Sequence, residues 1–293
     1  MSDKEYSNTF HGGKSNVEDD IFNFITTIYS GKVLRRTRKV ISPYELDIYI
    51  PDKKIAIEVD GIYWHSYNLN NDPNCMLYKT KQCESLNIQL VHITDYEWHN
   101  YPEICKSIIC AALNIFNEKI YARNCVVKQV TNQIAKDFLT TNHLQGYVRS
   151  SYNFGLFYKD TLVQLISLGK SRFKTNDYEL LRFCTKLNTQ VIGGFSKLLK
   201  YQPFNEIISY IDRSKFSGKG YFKANFSFVN YTKPSYSYYN NYRKLNRISC
   251  QKHKLCNILG DKFDKSKTES QNMIDAGWLK VYDCGTMKVR WER

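Results

Sequence analysis

The 293 residues, 42% hydrophobic and 24% charged, give enough chain for about two domains, each with its own core, and exclude disorder throughout. No apolar stretch approaches the ~18–20 residues of a bilayer crossing, and Met1 to Phe10 lacks the apolar segment of an export signal. The net charge of +14 is split unevenly: residues 1–120 hold 13 Lys/Arg against 16 Asp/Glu, whereas residues 121–293 hold 29 against 12, a balance of +17. The expectation is a soluble, cytoplasmic protein without a membrane partner.

In chain order, residues 17–29 set Val17, Ile21, Phe24, Ile25 and Ile28 on one helical face, closed by Gly31. Residues 44–50 alternate as a strand, Pro51-Asp52-Lys53-Lys54 reads as a turn, and residues 55–59 form a second strand, so the hairpin carries acids. A helix over 74–86, a buried strand over 89–93 and a helix over 101–116 complete an αββαβα unit, with a domain boundary near 118–124. Beyond it the pattern predicts a strand over 126–130, a helix over 132–141, a hairpin of 153–158 with 161–169 about Lys159-Asp160, and a strand over 178–184. A helix over 194–201 opens on Gly193-Gly194, a strand follows over 207–211, and residues 231–242 read as an exposed aromatic strand or arm. The nine cysteines are scattered with no CxxC pair and read as reduced thiols; Cys250-x-x-His253-x-x-Cys256 lacks a fourth ligand and reads as a basic helical face, not a zinc site.

A basic half in a chain with 23 tyrosines and 16 phenylalanines suits a polyphosphate partner, because cations release counterions and ring faces stack on bases. Double-stranded DNA is the partner expected. The competing source of such a composition is an AT-rich coding sequence.

In the first half, Asp47, Glu58 and Asp60 sit on adjacent strands, with His65 directly after Trp64. Facing carboxylates repel each other unless a divalent cation lies between them, and hard oxygen ligands favour Mg2+ or Mn2+, with Asp47 and Glu58 as the metal ligands. The plain alternative is a pair of solvated strand acids, but Glu58 interrupts an apolar strand, where an unpaired charge is costly.

The spacing Asp47-x10-Glu58-x-Asp60 resembles the PD-(D/E)xK nuclease core, with Asp60 standing where that core has lysine. The string Leu46-Asp47-Ile48-Tyr49-Ile50-Pro51 with Glu58-Val59-Asp60-Gly61-Ile62-Tyr63-Trp64-His65 resembles the very-short-patch-repair (Vsr) endonuclease fold and the EDxHD homing endonucleases of phages, and the likeness runs on to Trp98. The resemblance implies a magnesium-dependent endodeoxyribonuclease in which Glu18 is the leading acid, Asp47 and Glu58 hold metal, and His65 activates water. Lys79 or Lys81 is expected to supply the charge that Asp60 does not, Asp95 and Glu97 at the end of the third strand are further candidates, and the Trp64 indole is expected to pack beneath His65. It also implies a phage-encoded protein of the host cytoplasm, a homodimer being one option for its assembly.

In the second half, His143-Leu-Gln-Gly146, Glu179-Leu-Leu-Arg182-Phe-Cys184, Val191-Ile-Gly-Gly-Phe-Ser-Lys-Leu-Leu199 and Gly220-Tyr221 resemble the Mom-like branch of acetyltransferase-type (GNAT) folds. Gly193 and Gly194 opening a helix with Ser196 and Lys197 make an anion site for a cofactor pyrophosphate, of the acyl-coenzyme A type, or for a DNA phosphate. His143, Arg182, Asp212 and Tyr221 are the candidates for a second chemistry, against a reading in which Arg182 and Asp212 form a structural ion pair.

The fold class expected is α/β (α+β): a Vsr-like core over 12–120 and a basic mixed α+β GNAT-like domain over 124–293. The function expected is phosphodiester hydrolysis by a homing-type endonuclease. The alternatives are a DNA base-modifying or acyl transferase with an accessory nuclease-like domain, and a non-catalytic DNA-binding protein.

Overall fold

The computed structural model describes residues 17–171, 177–240 and 243–293; residues 12–16 of the first expected domain and 241–242 of the expected aromatic arm lie outside these. Internal contacts divide the chain into two compact units, unit 1 of Met1–Trp98 with Lys233–Gly285 and unit 2 of His99–Thr232 with Thr286–Arg293. The chain therefore passes between units near residues 98, 232 and 285, where the sequence suggested one passage near 118–124. Residues 233–285 carry part of the basic excess into unit 1, leaving unit 1 with 21 Lys/Arg against 19 Asp/Glu and unit 2 with 21 against 9.

The first segment runs α1 (Val17–Ile28), β1 (Leu34–Thr37), β2 (Leu46–Ile50), β3 (Ile55–Asp60), α2 (Tyr67–Asn70), α3 (Cys75–Ser85), β4 (Gln89–Thr94) and α4 (Asp95–Asn100). The second runs α5 (Pro102–Leu113), β5 (Glu118–Tyr121), β6 (Val126–Gln129), α6 (Asn132–Asn142), β7 (Tyr152–Tyr158), β8 (Thr161–Lys170), β9 (Tyr178–Thr185) and β10 (Thr189–Ile192). It continues through α7 (Gly194–Tyr201), β11 (Glu206–Asp212), α8 (Lys219–Lys223) and β12 (Phe226–Tyr231). The third holds β13 (Tyr236–Asn240), β14 (Arg243–Asn246), α9 (Leu255–Leu259), α10 (Glu269–Asp275) and β15 (Leu279–Tyr282), and the last is β16 (Thr286–Glu292). The fold is mixed α+β, as expected, and among the described residues no helix is long and apolar enough to cross a membrane.

In unit 1, four strands lie in the order β1-β2-β3-β4. The short turn makes β2 and β3 antiparallel, and the helical crossover through α2 and α3 makes β3 and β4 parallel. Ile48, Ile50, Ile57 and Val91 are fully buried, so this sheet is the scaffold on which the acids stand. The strand β1, Leu-Arg-Arg-Thr, has no apolar alternation; its arginines are neutralised by α1. The expected aromatic arm is instead β13 of a second sheet, ordered β14-β13-β15, whose Tyr238 and Tyr239 are buried. A capping box of Thr268 and Gln271 starts α10.

In unit 2, seven strands lie in the order β12-β16-β11-β9-β8-β7-β6, and β5 with β10 forms a parallel pair. The core under the large sheet is built from Phe154, Leu156, Ile166, Leu198, Ile207 and Trp291. One join differs from the others. β9 and β11 are parallel neighbours, yet only Tyr178, Glu179 and Leu180 pair with Ile207, Ile208 and Ser209. Beyond that point β9 continues against β8 and β11 against β16, leaving the sheet split between 181–185 and 210–212.

Candidate functional site

Two places gather polar chemistry, one in each unit. In unit 1, Glu58 and Asp60 are buried on β3, where alternation turns both toward the same face. Lys79 of α3 donates to Glu58 Oε1, and His92 Nδ1 lies 2.9 Å from Asp60 Oδ2. Thr80 Oγ1 is 2.9 Å from His92 Nε2 and 3.1 Å from Cys284 Sγ, so the end of the third chain segment closes the same network. Asp47 accepts the Val59 N–H at 2.8 Å.

Burial, then the Asp47 carboxylate, raises Glu58 above the ordinary carboxylate range, and burial likewise raises Asp47. Burial opposes the charge of Lys79 and of His92, but the surrounding carboxylates outweigh it, Glu58 first for Lys79 and Asp60 first for His92, and both groups are raised. Lys79 and His92 thus each meet one carboxylate, while Glu58 Oε2 is buried without a hydrogen-bond partner. A divalent cation takes about six oxygen ligands, whereas here Lys79 occupies Glu58 and His92 occupies Asp60. Among the described residues no three His, Cys, Asp or Glu side chains are grouped to hold a metal. The residues do not fit the Mg2+ or Mn2+ expected on Asp47 and Glu58.

The other residues expected in unit 1 fall around this cluster with different tasks. His65 Nδ1 stands 3.7 Å from Asp60 Oδ1 and is partly exposed. The Trp64 indole does not lie beneath it but faces solvent, 66% exposed, with its edge near Gly61. Glu18 binds Arg35 at 2.7 Å and Arg36 at 3.0 Å; burial would raise its carboxyl, and these two cations lower it on balance. It ties α1 to β1. Asp95 accepts the Ile62 and Tyr96 N–H groups and Glu97 the Thr94 N–H, so both acids hold backbone turns.

In unit 2 the site is the split sheet. α7 starts at Gly193, whose φ of +75° is a left-handed conformation open to glycine, and no side chain caps the helix. A Cβ on Gly194 would stand 2.2 Å from Gln164 Oε1, so only glycine lets the helix start this close to β8. Gln164 is buried; its Nε2 donates to Thr185 Oγ1 at 2.9 Å and its Oε1 has no partner. The amide can turn to present N–H toward the helix start instead. Phe195 of α7 stacks on Phe183 of β9 at 3.9 Å, which fixes the helix start beside the arm of β9 that has parted from β11.

Tyr221 packs edge-on to Phe195 at 5.1 Å and pairs with Ser209, and burial pushes its phenol up to about 12. Ser209 Oγ also donates to Leu180 O at 3.1 Å, bridging the last paired rung of the split. Ser196 is half-buried in the first turn of α7, but Lys197 turns away and donates to the Ala122 and Cys125 carbonyls, so it anchors backbone and contributes no anion ligand. Arg182 donates to Gly146 O and Leu181 O. Beside it His143 accepts the Gln145 N–H, and burial with the Arg182 charge lowers it to about 3. Asp212 takes Ser214 N–H and Oγ–H, which caps a turn and leaves the structural pairing of Arg182 with Asp212 unmade. Gln164, Phe183 and Ser209 were missed in the sequence; a lone glutamine within the apolar run of β8 was the signal available.

No protein family and no curated protein matches this chain. Solved structures do. An acetyltransferase from Bacillus subtilis in complex with CoA is 13% identical, with 58% of this chain and 98% of that one covered and a TM-score of 0.32. An IAA acetyltransferase from Bacillus cereus (11%, 58% and 99%, 0.33) and a GNAT family acetyltransferase from Elizabethkingia anophelis with acetyl-CoA bound (12%, 58% and 99%, 0.32) are similar in the same measure. At TM-scores of this size nothing about activity passes from those proteins to this chain.

The expectation of a magnesium-dependent endodeoxyribonuclease, with its homing, metal and hydrolase descriptions, is corrected here. The solved structures that match are described as acetyltransferases and none of those named is a nuclease, so no comparison supports the expectation. In the acid cluster on which the expectation stood, Lys79 is paired with Glu58 and His92 with Asp60.

Proposed function

We propose that unit 2 is an acyl-transfer module that binds an acyl-coenzyme A donor in the split between β9 and β11. The observation that supports this reading is the split itself: two parallel strands paired over three residues and then separated, with an uncapped helix start beside the gap. An extended donor bearing amides can run between the two separated strands and hydrogen-bond to backbone groups that face the gap. The N–H groups opening α7, helped by the helix dipole and by Gln164, suit its pyrophosphate.

Coenzyme A would supply an activated thioester. In the transfer, the acyl carbon gains a bond to the acceptor's nucleophilic atom and loses its bond to sulfur, while the acceptor's proton leaves to solvent. Tyr221, neutral and bonded to Ser209 beside the gap, is the group that would give the departing sulfur a proton, the tyrosinate so formed regaining one from solvent. His143, lowered to about 3, is a poor base and serves with Arg182 to shape the neighbouring turn.

Calorimetric titration of the full chain with coenzyme A and acetyl-coenzyme A tests the reading. Binding is expected, and Ser196→Glu should weaken it at least tenfold, because an anion then occupies the helix start. The same acid favours the helix by about 0.3–1 kcal/mol, so an unchanged or higher melting temperature separates lost binding from lost folding. Wild-type protein that binds neither compound would overturn the reading.

A further inference from the structure

Between Asp212 and Asp261 lie 48 residues with ten Lys/Arg and no Asp or Glu. The part of this run in unit 2 forms α8 and β12, the latter an outer strand of the seven-stranded sheet whose one neighbour is β16. Outer strands are ordinarily shielded or made polar, yet here Phe222 is 40%, Phe228 48% and Tyr231 50% exposed. A bulge between Phe228 and Asn230 lets both rings lie on one side, since Phe228 pairs with Val289 and Tyr231 with Met287. The two rings are 4.9 Å apart, and Gly218, which adjoins Phe222, adjoins Met287 as well. Arg213 lies 4.1 Å under the Tyr231 ring and is itself buried, so it backs the ring and leaves the outer face open. Lys219 and Lys223 are exposed on α8, while Ser227 and Asn230, opposite Arg290 and Lys288, turn to the other face of β12.

We infer that this edge of unit 2, β12 with α8, binds single-stranded nucleic acid, the rings stacking on bases and the lysines meeting phosphates. Flat ring faces with cations beside them suit unpaired bases better than a duplex, whose bases are already stacked, or a lipid surface, which calls for aliphatic side chains entering an apolar layer. That the bound strand is also the acyl acceptor rests on the acyl-transfer reading; the binding does not.

The test is fluorescence anisotropy of the full chain with a labelled oligothymidine, a duplex of equal length, and vesicles containing an anionic lipid. The single strand is expected to bind most tightly. Phe228→Ala and Tyr231→Ala should each weaken it by about tenfold. Lys219→Gln and Lys223→Gln should each reduce the slope of log affinity against log salt by about 0.7. All four residues are exposed, and melting curves verify that the variants stay folded. Equal or tighter binding of duplex or vesicles, or affinity and salt slope unchanged in all four variants, would overturn the inference. Calorimetry with coenzyme A on the same preparations reports separately: loss of that binding with oligonucleotide binding intact removes the transferase reading and leaves this one standing.

Discussion

The buried polar cluster of unit 1 and the split sheet of unit 2 spend polarity in opposite ways. In unit 1, Glu58, Asp60, Lys79 and His92 are brought together from β3, α3 and β4, and opposite charges meet inside the fold. In unit 2 few charges are buried at the site, and what marks it is that β9 and β11 stop pairing with each other beyond Leu180 and Ser209. Density of acids is therefore a poor guide to where a ligand goes. Opposite charges paired inside a unit hold its fold, whereas strands that part leave room for a partner.

The largest effect expected from this contrast is at Lys79. Lys79→Met removes the cation from a buried group of carboxylates, and unit 1 should lose about 3 kcal/mol of stability in urea unfolding. A loss below ~1 kcal/mol would show that the cluster is hydrated and its neutralisation incidental.

The two units should also answer pH with opposite signs. Glu58 is raised from an ordinary 4.5 and His92 from 6.5, so folded unit 1 holds more protons than the unfolded chain above pH 4.5, and its stability falls as pH rises. Above 6.5 the contribution of His92 is lost progressively as its folded-state pKa is approached. His143 of unit 2 is lowered to about 3, so there the unfolded chain takes the proton first and stability falls as pH drops from 6.5 toward 3. The fall is roughly 4 kcal/mol and is absent in His143→Gln. Hydrogen exchange followed by mass spectrometry reads the units separately; parallel pH trends in both would break the comparison.

Two smaller effects calibrate it. Thr268→Ala removes the capping box of α10 and should cost about 1 kcal/mol in unit 1. Lys106→Ala breaks an exposed pair with Glu103 on α5 and should change stability by less than ~0.5 kcal/mol. Chemical denaturation of each variant checks both values.

What could be seen in advance follows from how local each cause is. The helix over Asn132–Asn142 and the strands over Leu46–Ile50 and Ile55–Asp60 stand close to where periodicity put them, because the burial that shapes them is written in neighbouring residues. The strand β1 was not legible, since Arg35 and Arg36 are tolerated only by contact with Glu18, 17 and 18 positions away. Nor was the neutralisation of Asp60 by His92, which depends on the parallel pairing of β3 with β4. Gly193-Gly194 was visible as a helix start, but the split that gives it meaning arises from β16 joining β11 from the far end of the sequence. Tyr238 and Tyr239 looked exposed because their burial comes from sheet pairing with β15 and from contacts with Trp278 and Val281.

The place of β16 also sets a timetable. It lies between β11 and β12 in the large sheet, and it is made by the ribosome only after residues 233–285, which belong to unit 1. Unit 1 thus waits for its third segment and unit 2 for its last strand, so neither can complete while the earlier 232 residues alone have emerged. At ~5–20 residues per second, the open edges of β11 and β12 stay unpaired for several seconds during synthesis, a window in which a chaperone able to cover strand edges would decide the yield of folded protein.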